Sequence, residues 1–252
     1  MTIISYNHDV LFIHVPKCGG SSVEDAFQRH VRWGDFVVGS TREGEILHKQ
    51  VFNRLYGITK HSTAGELKAV LGPQFAAMRV VAVVREPLKI VESYYRFSKT
   101  IHLWVASIIS KRNPGMGSDA AKRHALELVG SGKLDGDEQF DVLQLLSGTI
   151  KTGVLSGSFE QFLGQVADSR WSNYLSSYLA DKDGTLLAAD ILKLEEPESV
   201  EAYFKMLVGP DFKLGHENAS VRTQTDWPAE DRIRFHDLMA GEYDRFGYRF
   251  QR

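Results

Sequence analysis

The segment FIHVPKCGGSS, residues 12–22, joins an apolar run to a helical pattern through a proline, a lysine and two glycines. The apolar run over residues 10–15 predicts a short buried β-strand that ends at the proline. After residue 22 the apolar positions recur at the spacing of one helix face, which predicts a helix there. The acidic pair at residues 24–25 is expected in its first turn, where it suits the helix dipole.

A strand that feeds a helix through a glycine-containing turn is suited to binding an anion. Gly19 and Gly20 let the backbone approach a ligand, and successive N–H groups and the helix N-terminus carry partial positive charge. Lys17 adds a full charge, and Ser21 and Ser22 add hydroxyl donors. This composition indicates a ligand with a phosphate or a similar oxyanion. The alternative is that the glycines only form a tight turn.

Two common nucleotide-binding loops are absent from the sequence. The Walker pattern GxxxxGK[ST] is missing because the lysine precedes the glycines, and the dinucleotide pattern GxGxxG is missing too. Any phosphate loop here is therefore of another type.

A second strand-to-helix junction lies in VVAVVREPLKIVESYYRF, residues 80–97. The run over residues 78–84 is rich in valine and apolar apart from Arg79, as in strands covered on both faces of a parallel sheet. Pro87 suits the first turn of a helix, with Arg85 at the strand end and Ser93 on the helix. Arginine can bind a phosphate through two parallel hydrogen bonds. Arg85 could equally cap a structural element or form a surface ion pair.

Strands and helices alternate along the rest of the chain. Further strands are predicted over residues 35–38, 56–59 and 189–195, the last of them interior, and further helices over residues 64–71, 198–207 and 228–246. This alternation predicts an α/β fold, a three-layer sandwich around a mostly parallel central sheet. A chain of 252 residues, 43% of them hydrophobic, can form it as a single domain over residues 1–252.

Composition limits the location and the partners. The net charge of -2 provides no global basic field for nucleic acid or anionic membranes. Cys18 is the only cysteine, which excludes an intrachain disulfide and a multi-cysteine zinc site. No apolar run is long enough to span a bilayer, and the N-terminus lacks signal-peptide features. We expect a soluble, cytoplasmic protein; its oligomeric state stays open.

Together the two junctions resemble those of sulfotransferases that use 3′-phosphoadenosine-5′-phosphosulfate (PAPS). FIHVPKCGGSS is similar to their 5′-phosphosulfate loop, whose common form is close to FIHIPKTGGTS, and VVREPLKIVESYY is similar to their 3′-phosphate motif. The similarity is to the branch with carbohydrate enzymes such as heparan sulfate 2-O-sulfotransferases and bacterial relatives. DEQFDVLQLLSG (residues 137–148), KLEEPESVEAYFKMLVG and HENAS are similar to other segments of that branch. The resemblance implies the P-loop-like sulfotransferase fold.

The resemblance also implies which residues bind the donor. Lys17 would bind the 5′-phosphate and the bridging oxygen and stabilise the leaving group. The loop backbone and two serine hydroxyls would hold the phosphosulfate, and Arg85 and Ser93 would hold the 3′-phosphate. Arg222 is a further candidate for that phosphate, with an exposed arginine as the alternative. The implied set is Lys17, Cys18, Gly19, Gly20, Ser21, Ser22, Arg85, Ser93 and Arg222.

The implied reaction moves a sulfuryl group from PAPS to a hydroxyl, releases 3′-phosphoadenosine-5′-phosphate (PAP) and needs no metal. A base must take the proton of the hydroxyl. We expect His61, because it follows the strand predicted over residues 56–59 and because its segment is similar to a Gly-His-Val stretch that holds the catalytic histidine in the 2-O branch, although Lys60 replaces the glycine. His216 or a carboxylate is the alternative, and His14 is expected to be a packed core residue.

The acceptor is expected to be a carbohydrate, a glycolipid-type molecule or another small hydroxyl compound. Because the loop begins near residue 12, we expect no N-terminal membrane anchor of the kind that animal enzymes have. This favours a soluble enzyme of bacterial type and puts a polymeric glycosaminoglycan substrate in doubt. Two other functions stay open: a nucleotide-dependent kinase with an atypical loop, and a non-catalytic nucleotide-binding module.

Two further residues near the motifs are interpreted as structural. Cys18 stands where the resembling family often has threonine, and backbone amides rather than its thiol would bind the phosphate. Glu195 ends the strand predicted over residues 189–195; it could orient a substrate or a neighbouring helix, but it is expected to be an acid in the first turn of the next helix.

Overall fold

A computed structural model describes residues 2–39, 44, 46, 51–131, 148–215 and 223–250. Within these residues a single sheet has the strand order β3-β1-β2-β4-β5. The strands are β1 (Thr2–Ser5), β2 (Val10–Ile13), β3 (Phe36–Val38), β4 (Arg79–Val84) and β5 (Asp190–Lys193).

The sheet is mixed. β2 pairs with β4 and β4 pairs with β5 in parallel, whereas β1 is antiparallel to both β2 and β3. The prediction of a mostly parallel sheet is therefore wrong for half of the strand pairings, because two are parallel and two are antiparallel. The prediction missed β1, which returns into β2 through the short turn at residues 6–9, and a connection this short can only join antiparallel strands.

Helices alternate with these strands, which confirms the α/β class. The helices of the described residues are α1 (Gly20–Gln28), α2 (Asn53–Tyr56), α3 (Ala64–Leu71), α4 (Pro73–Ala77), α5 (Pro87–Arg112), α6 (Ser118–Ser131), α7 (Thr149–Leu155), α8 (Phe159–Val166), α9 (Tyr174–Leu179), α10 (Pro197–Val208), α11 (Ala229–Leu238) and α12 (Ala240–Arg245).

The chain forms two compact units whose segments alternate along the sequence. The sheet unit comprises Met1–Pro87, Ser172–Ala219 and Gly241–Arg249. The helical unit comprises Leu88–Trp171, Ser220–Ala240 and Phe250–Arg252. All five strands and the first glycine loop belong to the sheet unit.

One face of the sheet packs against α1 and α10. Phe12 and Val83 from the strands meet Phe27 of α1 and Phe204 of α10 in one core cluster. The rings of Phe12 and Phe204 lie edge to face with centroids 5.9 Å apart. Every residue of β2 is buried, so this strand is covered on both faces, as its apolar sequence predicts.

In the helical unit, α5, α6 and α7 share a second core. Ile101 and Val105 of α5 pack with Ala121 and Ala125 of α6 and with Val154 of α7. These small and branched side chains let the three helices approach closely.

The structure corrects three sequence predictions in the sheet unit. Residues 56–59 are not a strand: Tyr56 ends α2, and Gly57 terminates that helix in the left-handed conformation with φ of 68°. β5 is an edge strand with half-buried residues rather than an interior strand. α1 begins at Gly20, so the acidic pair at residues 24–25 lies beyond its first turn.

The long helix predicted over residues 228–246 is two helices, α11 and α12. Met239 lies between them with φ of -105° and ψ of 12°, outside the helical region. Its N–H donates to both Phe235 O and His236 O, which closes the last turn of α11. Gly241 follows immediately, and glycine is a poor helix former. The apolar spacing alone did not reveal this break.

Candidate functional site

The loop between β2 and α1 has an unusual backbone. Lys17 has φ of 67°, in the left-handed region that few residues with a side chain adopt. Gly19 is the N-cap of α1 and has φ of 78° and ψ of 8°. Gly19 adopts this conformation without strain, whereas for a residue with a side chain such as Lys17 it persists only where the surrounding structure enforces it.

This loop presents backbone donors at the start of α1. Cys18 N–H donates to Val15 O at 3.4 Å, and Ser22 N–H donates to Gly19 O at 3.0 Å. Among the residues that the structure describes, no acceptor takes the N–H groups of residues 19–21. Unpaired N–H groups at a helix N-terminus form a favourable place for an anion.

Arg85 supplies a second cation beside Lys17. It follows β4, which is parallel to β2, so both side chains leave neighbouring strands at the same edge of the sheet. Arg85 Nη1 donates to the carbonyl oxygen of Lys17 at 3.5 Å. Burial, reinforced by the charge of Arg85, lowers the pKa of Lys17 to about 8. A bound anion would relieve the repulsion between these two cations.

The remaining loop side chains differ in exposure. Cys18 is fully buried, and this burial raises the pKa of its thiol. The structural interpretation of Cys18 fits this environment. Ser21 is half-buried and Ser22 is buried, both in the first turn of α1.

His61 lies in a turn before α3 rather than at the end of a strand. Thr59 N–H donates to Ser62 Oγ at 2.9 Å, and His61 N–H donates to Thr59 Oγ1 at 3.2 Å. Thr63 then caps α3 in a reciprocal pair with Glu66. These local bonds fix the backbone on both sides of the histidine.

This turn nevertheless brings His61 to the end of β2. Its Nδ1 lies 3.5 Å from the carbonyl oxygen of His14, the residue directly after that strand. The two imidazole rings meet edge to face, with centroids 4.9 Å apart and planes at 87°. His61 therefore lies beside the carboxyl end of β2, although residues 56–59 do not form the predicted strand.

The sequence predicts His14 as a packed core residue. It is buried, as expected, but it lies after β2 and directly under the glycine loop. A Cβ atom at Gly20 would stand only 2.7 Å from His14 Cε1. The available signal was its position at the carboxyl end of a buried strand, where α/β sheets place binding residues.

Glu195 has a structural role in the sheet unit. Its carboxylate accepts a hydrogen bond from Glu86 N–H at 2.9 Å and from Tyr248 Oη at 3.1 Å. The preceding Leu194 lies against the loop, where a Cβ atom at Gly19 would be 2.5 Å from Leu194 Cδ1. Both carboxylate oxygens are thus engaged in fixing the segments that flank the site.

Ser93 belongs to the helical unit, in the second turn of α5, and is half-buried. One residue earlier, the buried carboxylate of Glu92 accepts from Lys89 Nζ at 2.9 Å and from Trp227 Nε1 at 2.8 Å. Arg222 and the alternative base His216 lie outside the described residues, as do HENAS and nearly all of DEQFDVLQLLSG. Their predicted roles stay predictions.

The described residues contain neither a metal-binding cluster nor a membrane-spanning helix. No group of three or more histidine, cysteine, aspartate or glutamate side chains is arranged there to hold a metal ion. In the same residues, no helix combines the length and the apolar character needed to cross a membrane. Comparison of the chain with protein-family models, curated proteins and solved structures finds no significant match.

Proposed function

We propose that the chain is a PAPS-dependent sulfotransferase with the P-loop-like fold of that family. It would move a sulfuryl group to a hydroxyl of a carbohydrate, a glycolipid-type molecule or another small acceptor. The observation that carries this proposal is one edge of the sheet, where unpaired loop N–H groups, Lys17 and Arg85 meet beside His61. An oxyanion and a proton acceptor can be held together at this edge.

The donor-binding part rests on charge and on backbone donors. The N–H groups of residues 19–21 and the Lys17 ammonium would hold the phosphosulfate group, and Arg85 would hold the 3′-phosphate, with Ser93 and Arg222 as further candidates. The closeness of two cations in a partly buried site favours a ligand with more than one negative group. PAPS carries negative groups at both its 3′ and 5′ ends.

In the proposed chemical step, His61 would accept the proton of the acceptor hydroxyl. The carbonyl oxygen of His14 near His61 Nδ1 favours the tautomer with the proton on Nδ1, so Nε2 carries the lone pair. Nε2 would accept the hydroxyl proton as the acceptor oxygen bonds to sulfur and the bond from sulfur to the bridging oxygen breaks. Lys17 would stabilise the negative charge that develops on that oxygen, and PAP would leave.

The kinase alternative has less support. A kinase would need acidic side chains that hold magnesium near the loop. Among the described residues, two acidic side chains near the loop, Glu86 and Glu195, are hydrogen-bonded to Tyr243 and Tyr248. A non-catalytic module would not need His61 at this edge.

The experiment compares PAPS as the donor in the absence of metal with ATP as the donor in the presence of magnesium. Purified protein is given PAPS with a chelator and a panel of carbohydrate, glycolipid and phenol acceptors, and PAP release is measured. A parallel reaction contains ATP and magnesium. The proposal expects chelator-insensitive PAP release that His61→Ala and Lys17→Ala abolish. Turnover of ATP with magnesium and none of PAPS would favour a kinase instead.

A further inference from the structure

We propose that His14 is a positioning residue of this site, whose flat ring links the phosphosulfate loop to His61 and sets the separation between them. The inference rests on the proposed function, because the two groups that it links are the proposed donor loop and the proposed base. It assigns no chemical step to His14.

The environment of His14 is unfavourable for an ordinary core residue. The side chain is only 5% exposed, and among the described residues its Nδ1 has no hydrogen-bond partner. Leaving a buried polar atom unpaired costs about 1–3 kcal/mol, which an apolar side chain of similar size would avoid. The imidazole at this position therefore calls for an explanation other than core stability.

The first contact of the ring is with the start of α1. A Cβ atom at Gly20 would lie 2.7 to 2.8 Å from three ring atoms, Cε1, Nδ1 and Cδ2. These atoms come from both sides of the imidazole, so the Gly20 backbone rests on the face of the ring. This flat surface sets the distance between the first residue of α1 and the His14 ring, and therefore the distance between the loop and His61.

The second contact is with His61. The two rings meet edge to face with centroids 4.9 Å apart, and the carbonyl oxygen of His14 lies 3.5 Å from His61 Nδ1. Both the side chain and the carbonyl group of His14 thus contact the imidazole of His61. A displaced His14 would let the His61 ring turn and would move it relative to the loop.

This arrangement predicts that a change at His14 affects the rate of turnover much more than the affinity for the donor. In-line transfer depends on placing the reacting groups within a fraction of an ångström, and a misplacement of about 1 Å can lower a rate about 100-fold. Donor binding depends mainly on Lys17, Arg85 and backbone donors, which a change at His14 does not remove. Loss of the flat ring should therefore lower kcat much more than donor affinity.

The test uses two variants and a matched control. His14→Leu fills the space without a flat ring, and His14→Phe restores a flat ring without nitrogen atoms. The control is His8→Leu, because His8 also makes an edge-to-face contact, with Phe27 at 5.9 Å, but lies at the opposite end of β2. The readouts are the PAP dissociation constant, kcat for PAP release, the thermal midpoint and the ¹⁵N signals of the His61 ring.

We expect His14→Leu to lower kcat about 100-fold, to change the PAP dissociation constant by less than about threefold and to shift the His61 ¹⁵N signals toward those of a free histidine. His14→Phe should recover most of kcat, and His8→Leu should alter neither kcat nor the His61 signals. Unchanged His61 signals in His14→Leu, or no recovery in His14→Phe, would overturn the inference. If the wild type binds no PAP, the proposed function fails, while the NMR comparison still tests the link between the two histidines.

Discussion

Arg85 Nη1 donates a hydrogen bond to the carbonyl oxygen of Lys17, so the residue after β4 holds the loop after β2. Parallel pairing of the two strands creates this relationship, because it brings two strand ends to one edge of the sheet. The bond also helps to hold Lys17 in its left-handed conformation. Anion binding at this edge should therefore depend on both residues.

Replacement of Arg85 by alanine should weaken PAP binding about 10- to 100-fold, because a hydrogen bond to a charged group contributes about 1.5–3 kcal/mol. The matched control is Arg79→Ala at the other end of β4, where Arg79 forms an exposed ion pair with Asp190 at 2.6 Å. Titration calorimetry should show the control within about twofold of the wild type, since exposed pairs contribute little. Equal losses in both variants would contradict a role for Arg85 in the site.

PAP binding should weaken as the pH rises above about 8, the lowered pKa of Lys17. Above that pH the free amine is neutral and must take up a proton to attract the phosphate, so affinity falls by at most about tenfold per pH unit. Lys17→Arg should abolish this dependence, because a guanidinium stays charged. Dissociation constants measured from pH 7 to pH 10 check the prediction, and an identical slope in Lys17→Arg would refute it.

Gly20→Ala should destabilise the protein by about 1–3 kcal/mol, because a Cβ atom there would collide with the His14 ring. Gly65→Ala in α3 is the control, since its Cβ atom would find its nearest neighbour at 3.9 Å and alanine favours helix. Urea unfolding of the two variants measures the difference. A Gly20→Ala protein as stable as the wild type would show that the His14 ring does not rest on this backbone.

Cys18 should resist thiol reagents in the native state, because its side chain is fully buried and burial raises the pKa of the thiol. A reagent such as iodoacetamide at neutral pH should label it only after unfolding. Mass spectrometry with and without urea distinguishes the two cases. Rapid labelling of the native protein would reveal an accessible, activated thiol in the loop.

The sequence was sufficient to predict the two strand-to-helix junctions, from β2 to α1 and from β4 to α5, that form the candidate site. Apolar runs predict β2 and β4, and Pro87 marks the start of α5 as the structure has it. Glycines next to Lys17 predict a turn with exposed donors. These features are local, so a short window of sequence contains the information that determines them.

Longer-range features were less predictable. β1 was missed because its four residues precede a turn with no hairpin signature, and its pairing with β3 depends on residues far along the chain. His61 approaches His14 only through the folded turn before α3, and the contact of Gly20 with the His14 ring is a matter of tertiary packing. Sequence spacing does not encode such contacts.

The most direct test of the proposed function is a calorimetric titration of the purified protein with PAP and, separately, with AMP, both in the presence of a chelator. The two ligands differ in the 3′-phosphate that Arg85 is proposed to bind. The account predicts micromolar binding of PAP without metal and binding of AMP weaker by at least about tenfold. No binding of PAP, or equal binding of AMP, would contradict it.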